Sequence, residues 1–348
     1  MEKKNYMRIS ETVFEKEILS VSPKISVLVP VYNVEKYVAR CLRSLFANTI
    51  IADCEVIIVD DCSPDDSMKF VADVLNEFPA LAKNVVLRSH DCNRGLAAAR
   101  NTALLQAHGK YIICVDSDDW VEPDYLEKLY NEAENSGADI VGCDLFREYK
   151  NYNKIQKTPL PSVPSDCLRK LLEGNIFGFL HEKFFKASLF DNKDCRWIEG
   201  IDFFEDLIIC TKLFYYANKI SYISAPLYHY NMENSNSISI VTKLNEKKIE
   251  QIINSIGEVE KFLNSVPDGM EYRSFLNKRK ALTKVWILMD CEKFDNSYLM
   301  LYANEKLSNL KTITKKNKFI LKLCDLKIFA LAKCVIFLYR PLKNIFRK

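Results

Sequence analysis

The 348-residue sequence lacks the cysteine spacing of a zinc site or of a disulfide-bonded domain. Its twelve cysteines are scattered, and no two of them are separated by two residues. Cysteines without a compact framework are expected to be reduced, buried and to behave as small apolar side chains. The sequence therefore argues against a structural zinc site and against secretion.

Signals for membrane insertion or nucleic-acid binding are also missing. Residues 1–20 are charged and contain no apolar core, so no signal peptide is expected. Near the other end, Lys322, Lys327, Lys333 and Arg340 interrupt each apolar run before it reaches about 18 residues, which argues against a transmembrane span. No basic recognition motif for nucleic acids is present, and neither is an internal repeat.

The net charge of +3 conceals an uneven distribution. Residues 301–348 contain twelve basic and two acidic side chains, whereas the first 300 residues contain 37 basic and 44 acidic ones. Because the basic end also carries many apolar residues, we interpret 311–348 as a basic amphipathic helix on an anionic membrane surface. The alternative is a helix packed on the enzyme or on a second subunit, since apolar faces bury against protein too.

Short apolar runs alternate with helical patterns in the first half of the chain. The expected strands are residues 25–30, 55–59, 85–87, 111–115 and 139–143, and the expected helices are 38–46, 94–108 (closed by Gly109) and 123–135. Strands that alternate with helices imply an α/β fold with a parallel, doubly wound sheet. Ligands of such sheets bind beyond the carboxyl ends of the strands.

Three carboxylates stand at such a strand end, directly after the run Tyr111–Val115. Asp116, Asp118 and Asp119 repel one another unless a cation lies between them. Hard oxygen ligands favour Mg²⁺ or Mn²⁺, which commonly bridge to substrate phosphates. The pattern therefore indicates a metal-diphosphate site. The alternative is that these acids only cap the following helix, with Pro123 near its first turn.

Four motifs in order carry a family resemblance: Pro30-Val31-Tyr32-Asn33, Val59-Asp60-Asp61-Cys62-Ser63, Asn93-Arg94-Gly95 with Ala99-Arg100-Asn101, and Asp116-Ser117-Asp118-Asp119. Together they resemble the family 2 glycosyltransferases over about residues 24–240. The resemblance implies a GT-A fold, a nucleotide-sugar donor, a divalent metal (Mn²⁺ or Mg²⁺) and inversion at the anomeric carbon. One departure is Ala103, where many relatives have Gly, and we expect it to change helix packing rather than chemistry.

The resemblance also assigns residues to the donor. Pro30 and Tyr32 correspond to the wall of the base pocket, and Asp60 to the acid that contacts the base. Arg100 corresponds to a basic residue near the donor phosphates, although it could instead form a salt bridge on a helix surface. Asp116 corresponds to an acid near the ribose and the metal.

For the metal, Asp118 corresponds to the principal ligand of the Asp-x-Asp motif. His229 is either a third metal ligand, a hydrogen-bond donor to the diphosphate, or a half-buried side chain packed among tyrosines. On the acceptor side, Asp119 is expected to face the acceptor or to support the metal ligands. Trp120 is expected to form the floor for a sugar ring, with a place in the core as the alternative, and Lys183 to line the acceptor channel.

Direct displacement at the anomeric carbon requires a general base on the face opposite the nucleotide. The segment Gly200–Ile209 opens a helix with an acidic pair, and relatives carry a Glu-Asp pair there. The resemblance therefore makes Asp206 the expected base and Glu205 its orienting partner. The alternative is that Asp202, Glu205 and Asp206 only favour the positive end of that helix.

The expected organisation has five parts. Residues 1–23 form an N-terminal extension, 24–150 the nucleotide-sugar half, 151–245 the acceptor half with the base, 246–310 a helical region and 311–348 the membrane-surface helix. A homodimer is one possible assembly.

The expected function is the metal-dependent, inverting transfer of a sugar, by default from a UDP-hexose or UDP-N-acetylhexosamine, to a saccharide or lipid-linked saccharide. Its place would be surface polysaccharide or glycolipid synthesis in the cytoplasm, peripheral at the inner face of the cell membrane. One alternative is a non-catalytic, glycosyltransferase-like binding subunit at the membrane. A sugar nucleotidylyltransferase is disfavoured, because no Gly-rich phosphate loop follows the first strand.

Overall fold

The computed structural model describes residues 22–234, 243–310 and 313–345. The expected N-terminal extension, 1–23, lies outside these ranges except for its last two residues. The described strands are β1 (Ile25–Val31), β2 (Cys54–Asp60), β3 (Val85–Ser89), β4 (Tyr111–Cys114), β5 (Trp120–Val121), β6 (Ile140–Tyr149), β7 (Tyr152–Gln156), β8 (Lys183–Lys186) and β9 (Ile220–Asn231). The described α-helices are α1 (Val38–Phe46), α2 (Ser67–Glu77), α3 (Leu96–Leu104), α4 (Tyr125–Ser136), α5 (Pro164–Glu173), α6 (Glu205–Tyr216), α7 (Glu246–Ser265), α8 (Arg273–Asp290), α9 (Ser297–Met300), α10 (Lys315–Asp325) and α11 (Phe329–Ile345).

The nine described strands form one mixed sheet in the order β3-β2-β1-β4-β8-β6-β9-β5, with β7 paired to β6. β3, β2, β1 and β4 are parallel, as the sequence predicted. Beyond β4 the sheet is mixed rather than purely parallel, because β8 runs antiparallel to both β4 and β6, whereas β6 and β9 again pair in parallel. The result is an α/β architecture whose parallel half ends at the acid-rich segments.

Apolar side chains cover both faces of the parallel half. Residues Ile25, Val27 and Val29 of β1 belong to a core with the helices α1, α2 and α4. Leu28 of the same strand belongs to a second core with α3, α5, α6 and α7. Because successive side chains of a strand point to opposite faces, a strand covered on both sides is largely apolar. This explains the apolar runs of the sequence, and the two buried polar side chains of β1 and β2, Ser26 and Glu55, hydrogen-bond to each other.

Helix α3 is shorter than the sequence predicted. It spans Leu96–Leu104 rather than residues 94–108, and Gly109 does not end it. A Cβ atom on Gly109 would lie 2.5 Å from the backbone nitrogen of Ser26, which is closer than real contacts allow. Glycine is therefore required at position 109 for the close approach of the chain to β1.

The C-terminal region is helical, as expected for residues 246–310, but 311–348 is not one helix. α10 and α11 are separated at Lys327, whose φ is 58°. Apolar residues of both helices, among them Ile320, Leu321 and Ile336, pack against α8. Part of the apolar surface expected to face a membrane is thus buried against protein. None of the described helices is long and apolar enough to span a bilayer.

Candidate active site

Arg100 joins the acids of two distant segments. Its Nη2 donates to Asp116 Oδ1 at 2.9 Å, and its Nη1 to Glu205 Oε1 at 2.9 Å and to Asp206 Oδ1 at 3.2 Å. The arginine is only 2% exposed. Its terminal nitrogens are occupied by carboxylates in the interior, so the surface salt bridge is wrong, and a position near the donor phosphates stays a prediction. Arg100 instead fixes the predicted base beside the acid that follows β4.

The surroundings shift the pKa values of these three acids in different directions. Burial raises the pKa of Asp206 above its ordinary value, with Arg100 acting against it. Burial and the Asp206 charge raise the pKa of Glu205 further. Burial would also raise the pKa of Asp116, but Arg100 and then His181 outweigh it and lower that pKa. Asp116 is therefore ionised at neutral pH, while Asp206 is a stronger base than an ordinary aspartate.

Asp116, Asp119 and His181 form a group that suits a metal ion. One ligand atom from each lies within 4.8 Å of the others. His181 is 4% exposed, and its Nε2 is buried without a hydrogen-bond partner among the described residues. Carboxylate oxygens with an imidazole nitrogen are acceptable ligands for Mn²⁺, so the residues fit the implied ion. No signal along the chain marks His181, apart from its position just before β8.

Asp118, the expected principal ligand, lies outside that group. One of its carboxylate oxygens accepts a hydrogen bond from Asn234 Nδ2 at 2.8 Å. Burial, and next the Asp116 charge, raise the pKa of Asp118. A divalent cation would relieve that repulsion, so metal binding by Asp118 stays a prediction.

Asp119 is buried rather than directed at an acceptor. It is 0% exposed, and its two oxygens accept hydrogen bonds from the Tyr228 hydroxyl at 2.6 Å and the Asn231 backbone nitrogen at 2.7 Å. Burial, then Asp118 and Asp116, raise its pKa well above the ordinary value. The expectation that Asp119 faces the acceptor is wrong, because its side chain anchors the acidic loop to β9.

His229 does not join the candidate metal ligands. Its Nδ1 pairs with Glu148 and its Nε2 with Glu122, each at 2.7 Å. The ring stacks on Trp120 and Phe146, with centroids 5.0 and 4.6 Å away. The prediction of His229 as a metal ligand is therefore wrong here, since both ring nitrogens are occupied. The alternative, a half-buried histidine packed among aromatic rings, agrees with the structure, but its stacking partners are Trp120 and Phe146 rather than tyrosines.

Trp120 and Lys183 do not reach an acceptor. The Arg40 guanidinium lies 3.5 Å from the Trp120 ring centroid, so with His229 stacked as well this ring is covered by protein groups. Lys183 is 0% exposed, and its ammonium donates to the carbonyl oxygens of Phe177 and Phe179 and to Glu182. Both acceptor-side predictions are wrong, and Lys183 instead holds the segment 177–179 in place.

The expected donor residues Pro30, Tyr32 and Asp60 lie at one edge of the sheet. Pro30 is buried within β1, where it pairs with Val59, and the next residue pairs with Asp60 at the end of β2. Tyr32 is 45% exposed beyond the strand. Their contacts with a nucleotide base stay a prediction, which their shared position at the strand ends supports.

Two further acids, for which the sequence predicted no contact with α3, hold the start of this helix. Asp61 accepts hydrogen bonds from His90 Nδ1 and from the backbone nitrogens of Arg94 and Gly95. Asp202 accepts one from the backbone nitrogen of Ala97 at 2.9 Å. Gly95 has a φ of 93°, and a Cβ atom there would lie 2.2 Å from the Asp202 carboxylate. These contacts fix the helix that carries Arg100.

A family model described as "Glycosyl transferase family 2" matches residues 26–196. EpsH of Bacillus subtilis, whose name describes a glycosyltransferase, is 32% identical over 299 residues, which are 84% of this chain and 83% of that protein. The poly(ribitol-phosphate) beta-N-acetylglucosaminyltransferase TarS of Staphylococcus aureus is 30% identical over 219 residues, 60% of this chain and 35% of that protein.

Solved structures share the fold. A crystal structure of S. aureus TarS in complex with UDP-GlcNAc has a TM-score of 0.67 at 20% identity, covering 91% of this chain and 92% of that chain. The mannosyltransferase PcManGT of Pyrobaculum calidifontis in complex with GDP-Man and Mn²⁺ has a TM-score of 0.55 at 16% identity, covering 94% and 89%. The expected GT-A fold is confirmed, and the chain belongs to glycosyltransferase family 2.

Proposed function

We propose that this glycosyltransferase transfers a sugar from a UDP-sugar to a hydroxyl of a saccharide or lipid-linked saccharide, in the synthesis of a cell-surface polymer or glycolipid. The observation that carries the proposal is the buried contact of Arg100 with Asp116 on one side and Asp206 on the other. It joins the strand-end acid of a nucleotide site to a suitable base. The UDP donor is supported by the TarS complex with UDP-GlcNAc, and the polymer acceptor by the TarS name.

The proposed reaction is a single displacement. Asp206 takes the proton of the acceptor hydroxyl while the hydroxyl oxygen forms a bond to the anomeric carbon of the donor. The bond between that carbon and the diphosphate oxygen breaks, and UDP leaves with the electron pair. One displacement inverts the anomeric configuration, and Glu205 keeps Arg100 in position beside the base.

For the metal we propose Asp116, Asp119 and His181 as the holding residues, with Asp118 as a further candidate. When bound, a divalent cation supplies positive charge against the diphosphate of the donor. Mn²⁺ is supported by the complex of PcManGT. Among the residues of this chain, the buried and unpartnered Nε2 of His181 is the strongest support for such an ion.

We further propose that α10 and α11 rest on an anionic membrane surface. Besides their buried residues, they and the turn between them present Phe319, Leu326, Ile328, Leu331 and Leu338, which are 43–72% exposed. Exposed lysines lie among these side chains, including Lys318, Lys322 and Lys333. Exposed apolar groups with interspersed cations suit a bilayer interface.

The first experiment is a nucleotide-sugar hydrolysis screen with UDP-, GDP-, dTDP- and CDP-sugars in the presence of Mn²⁺. We expect slow release of UDP from one UDP-sugar, its loss in Asp206→Asn and its retention in Asp73→Asn, an exposed aspartate of α2. Calorimetric titration with UDP accompanies the screen. Binding of UDP without turnover, even with acceptors present, would support the non-catalytic subunit, and the absence of both would contradict the proposed function.

A further inference from the structure

We propose that the cavity beside Asp206 binds an uncharged saccharide as the acceptor and that α8 provides one of its walls. This inference rests on the proposed function. The cavity has a volume of about 480 Å³ and lies between the base segment 202–207, the segment 176–179 and helix α8. A volume of this size accommodates a small ligand, which here means one or two sugar rings.

The first wall is a series of stacked aromatic rings. Phe177 and Phe179 are parallel within 2°, with centroids 5.1 Å apart, and Phe179 stacks with Tyr230 at 5.9 Å. Phe177 is 48% exposed, which is unusual for a phenylalanine held in one orientation by a stacked neighbour. The buried ammonium of Lys183 fixes the backbone of this segment through the carbonyl oxygens of Phe177 and Phe179. The wall is therefore built before any ligand arrives.

The second wall comes from the base segment and α8. Trp286 of α8 packs against Phe203 and Phe204, with ring centroids 6.3 and 5.9 Å apart. Arg279 of the same helix lies with its guanidinium carbon 5.9 Å from the Phe204 ring centroid. It also donates to the carbonyl oxygens of Leu171 and Leu172 at the end of α5. Helix α8 is thus fixed to the domain and holds the residues that directly precede Glu205.

The charges that line the cavity favour a neutral ligand. Apart from Asp116, which belongs to the proposed metal group, four carboxylates line it, against three basic side chains, namely Arg100, Lys243 and Arg279. Arg100 is committed to three carboxylates and Arg279 to the carbonyl oxygens of α5. A polyanion would meet net negative charge here. A sugar ring offers C–H groups to aromatic faces and hydroxyl donors to carboxylates, which matches both kinds of lining group.

The test measures ligand binding directly, by saturation-transfer NMR. Wild-type protein is titrated with a panel of neutral linear tetrasaccharides and, separately, with a short poly(ribitol phosphate). We expect a neutral tetrasaccharide to bind and the polyanion to bind more weakly. Trp286→Ala should weaken saccharide binding about tenfold, the loss expected for one aromatic contact, and Trp286→Phe by no more than about twofold. UDP binding should be unchanged in both variants.

A second variant is used if Trp286→Ala unfolds. Leu282→Trp places an additional ring in the cavity from the same helix and removes no aromatic side chain. It should weaken saccharide binding at least as much as Trp286→Ala. Tighter binding of the polyanion, no binding of any neutral saccharide, or unaltered affinity in Leu282→Trp would each overturn the inference while UDP binding stays intact. Absence of UDP binding and of donor hydrolysis in the wild-type protein would instead overturn the proposed function.

Discussion

At the scale of single residues, the site depends on how charges are shared around Arg100. Its guanidinium touches one acid whose pKa is lowered and two whose pKa values are raised. One buried cation is therefore shared by the buried Glu205 and the half-buried Asp116 and Asp206. Burial, and to a smaller extent the charge of Asp116, makes Asp206 more basic than a free aspartate, which suits a group that must remove a proton from a hydroxyl.

Removal of the base is expected to stop turnover but not donor binding. Asp206→Asn keeps the shape of the side chain and loses its ability to accept a proton, so the turnover number should fall by about 10²–10⁴. The dissociation constant for UDP should stay within about twofold, because Asp206 lies on the acceptor side. Steady-state kinetics and calorimetry measure the two quantities, with Asp73→Asn as the control. If the turnover number falls by less than about tenfold, Asp206 is excluded as the base.

The pH dependence of kcat/KM also tests the role of Asp206. Asp206 must be ionised to act, so activity should be lost as the pH falls through its pKa, which burial places above the ordinary aspartate value of 3.8. Arg100 lowers that pKa, so Arg100→Gln should move the acidic limb to higher pH. Arg94→Gln, which removes an exposed arginine paired with Glu199, should leave the limb in place. An acidic limb that moves to lower pH in Arg100→Gln would contradict this assignment.

The two histidines of the site region should differ in metal binding. His181→Phe keeps a ring that can stack on Tyr228 but removes the unpartnered nitrogen, and should weaken Mn²⁺ binding about 10-fold to 100-fold. His229→Phe, whose nitrogens face Glu122 and Glu148, should have little effect. Electron paramagnetic resonance of free Mn²⁺ measures both affinities without a need for activity. Equal losses in both variants would argue against His181 as a specific ligand.

At the scale of secondary-structure elements, the start of α6 has a strained backbone that tertiary contacts maintain. Phe204 directly precedes the acidic pair and has a φ of 71°, in the left-handed region that bulky residues avoid. Its ring is held between Trp286 and Arg279 of α8. Contacts from α8 therefore maintain an unfavourable backbone conformation where the general base enters its helix, which is where such strain is commonly found.

Because of this strain, we expect the stabilities of the glycine and alanine variants at position 204 to be in the reverse of their usual order in a helix. Phe204→Gly and Phe204→Ala both remove the ring, but only glycine adopts a positive φ without steric cost. The glycine variant should therefore have the larger free energy of unfolding, by about 1 kcal/mol. At Phe214, in the middle of α6, we expect the usual order: the alanine variant should have the larger free energy of unfolding, by about 1 kcal/mol. Urea titrations of the four variants measure the differences, and the same order at both positions would exclude strain at Phe204.

At the scale of the whole molecule, the C-terminal helices have two surfaces. One is buried against α8 and so contributes to the wall of the proposed acceptor cavity indirectly. The other presents exposed apolar side chains between lysines. The twelve basic residues of 301–348 are concentrated in this part of the chain, while the first 300 residues are acidic in sum. Such an arrangement supports the proposal that these helices face an anionic surface.

Vesicle binding tests this arrangement. The double variant Leu326→Ser, Leu331→Ser removes two side chains that are 59% and 47% exposed, so folding should be preserved. Binding to vesicles that contain anionic lipid should weaken at least about tenfold, since each leucine contributes apolar area to the interface. Leu105→Ser, a change at a leucine 72% exposed in another region, is the control. Unchanged binding in the double variant would contradict a membrane role for these helices.

Local patterns along the chain were sufficient to predict the family and the parallel half of the fold. Strands covered on both faces produce largely apolar runs, and the acids Asp60 and Asp116 come directly after two of them. These signals are local, because each depends on residues adjacent along the chain. The acidic pair Glu205 and Asp206 was identified in the same way, at the start of a helix that the structure confirms.

Which side chains share a site could not be predicted from local patterns, because it depends on how distant segments pack. His181 has no local signal, because its partners Asp116 and Asp119 reach it through the pairing of β8 with β4. Lys183, Trp120 and His229 were expected near substrates from their motifs, but burial and ring stacking engage each of them with protein groups. Contacts between residues far apart in the chain depend on how the elements pack. Here the antiparallel strand β8 lies between β4 and β6, and the order of the strands in the sheet could not be predicted from local patterns.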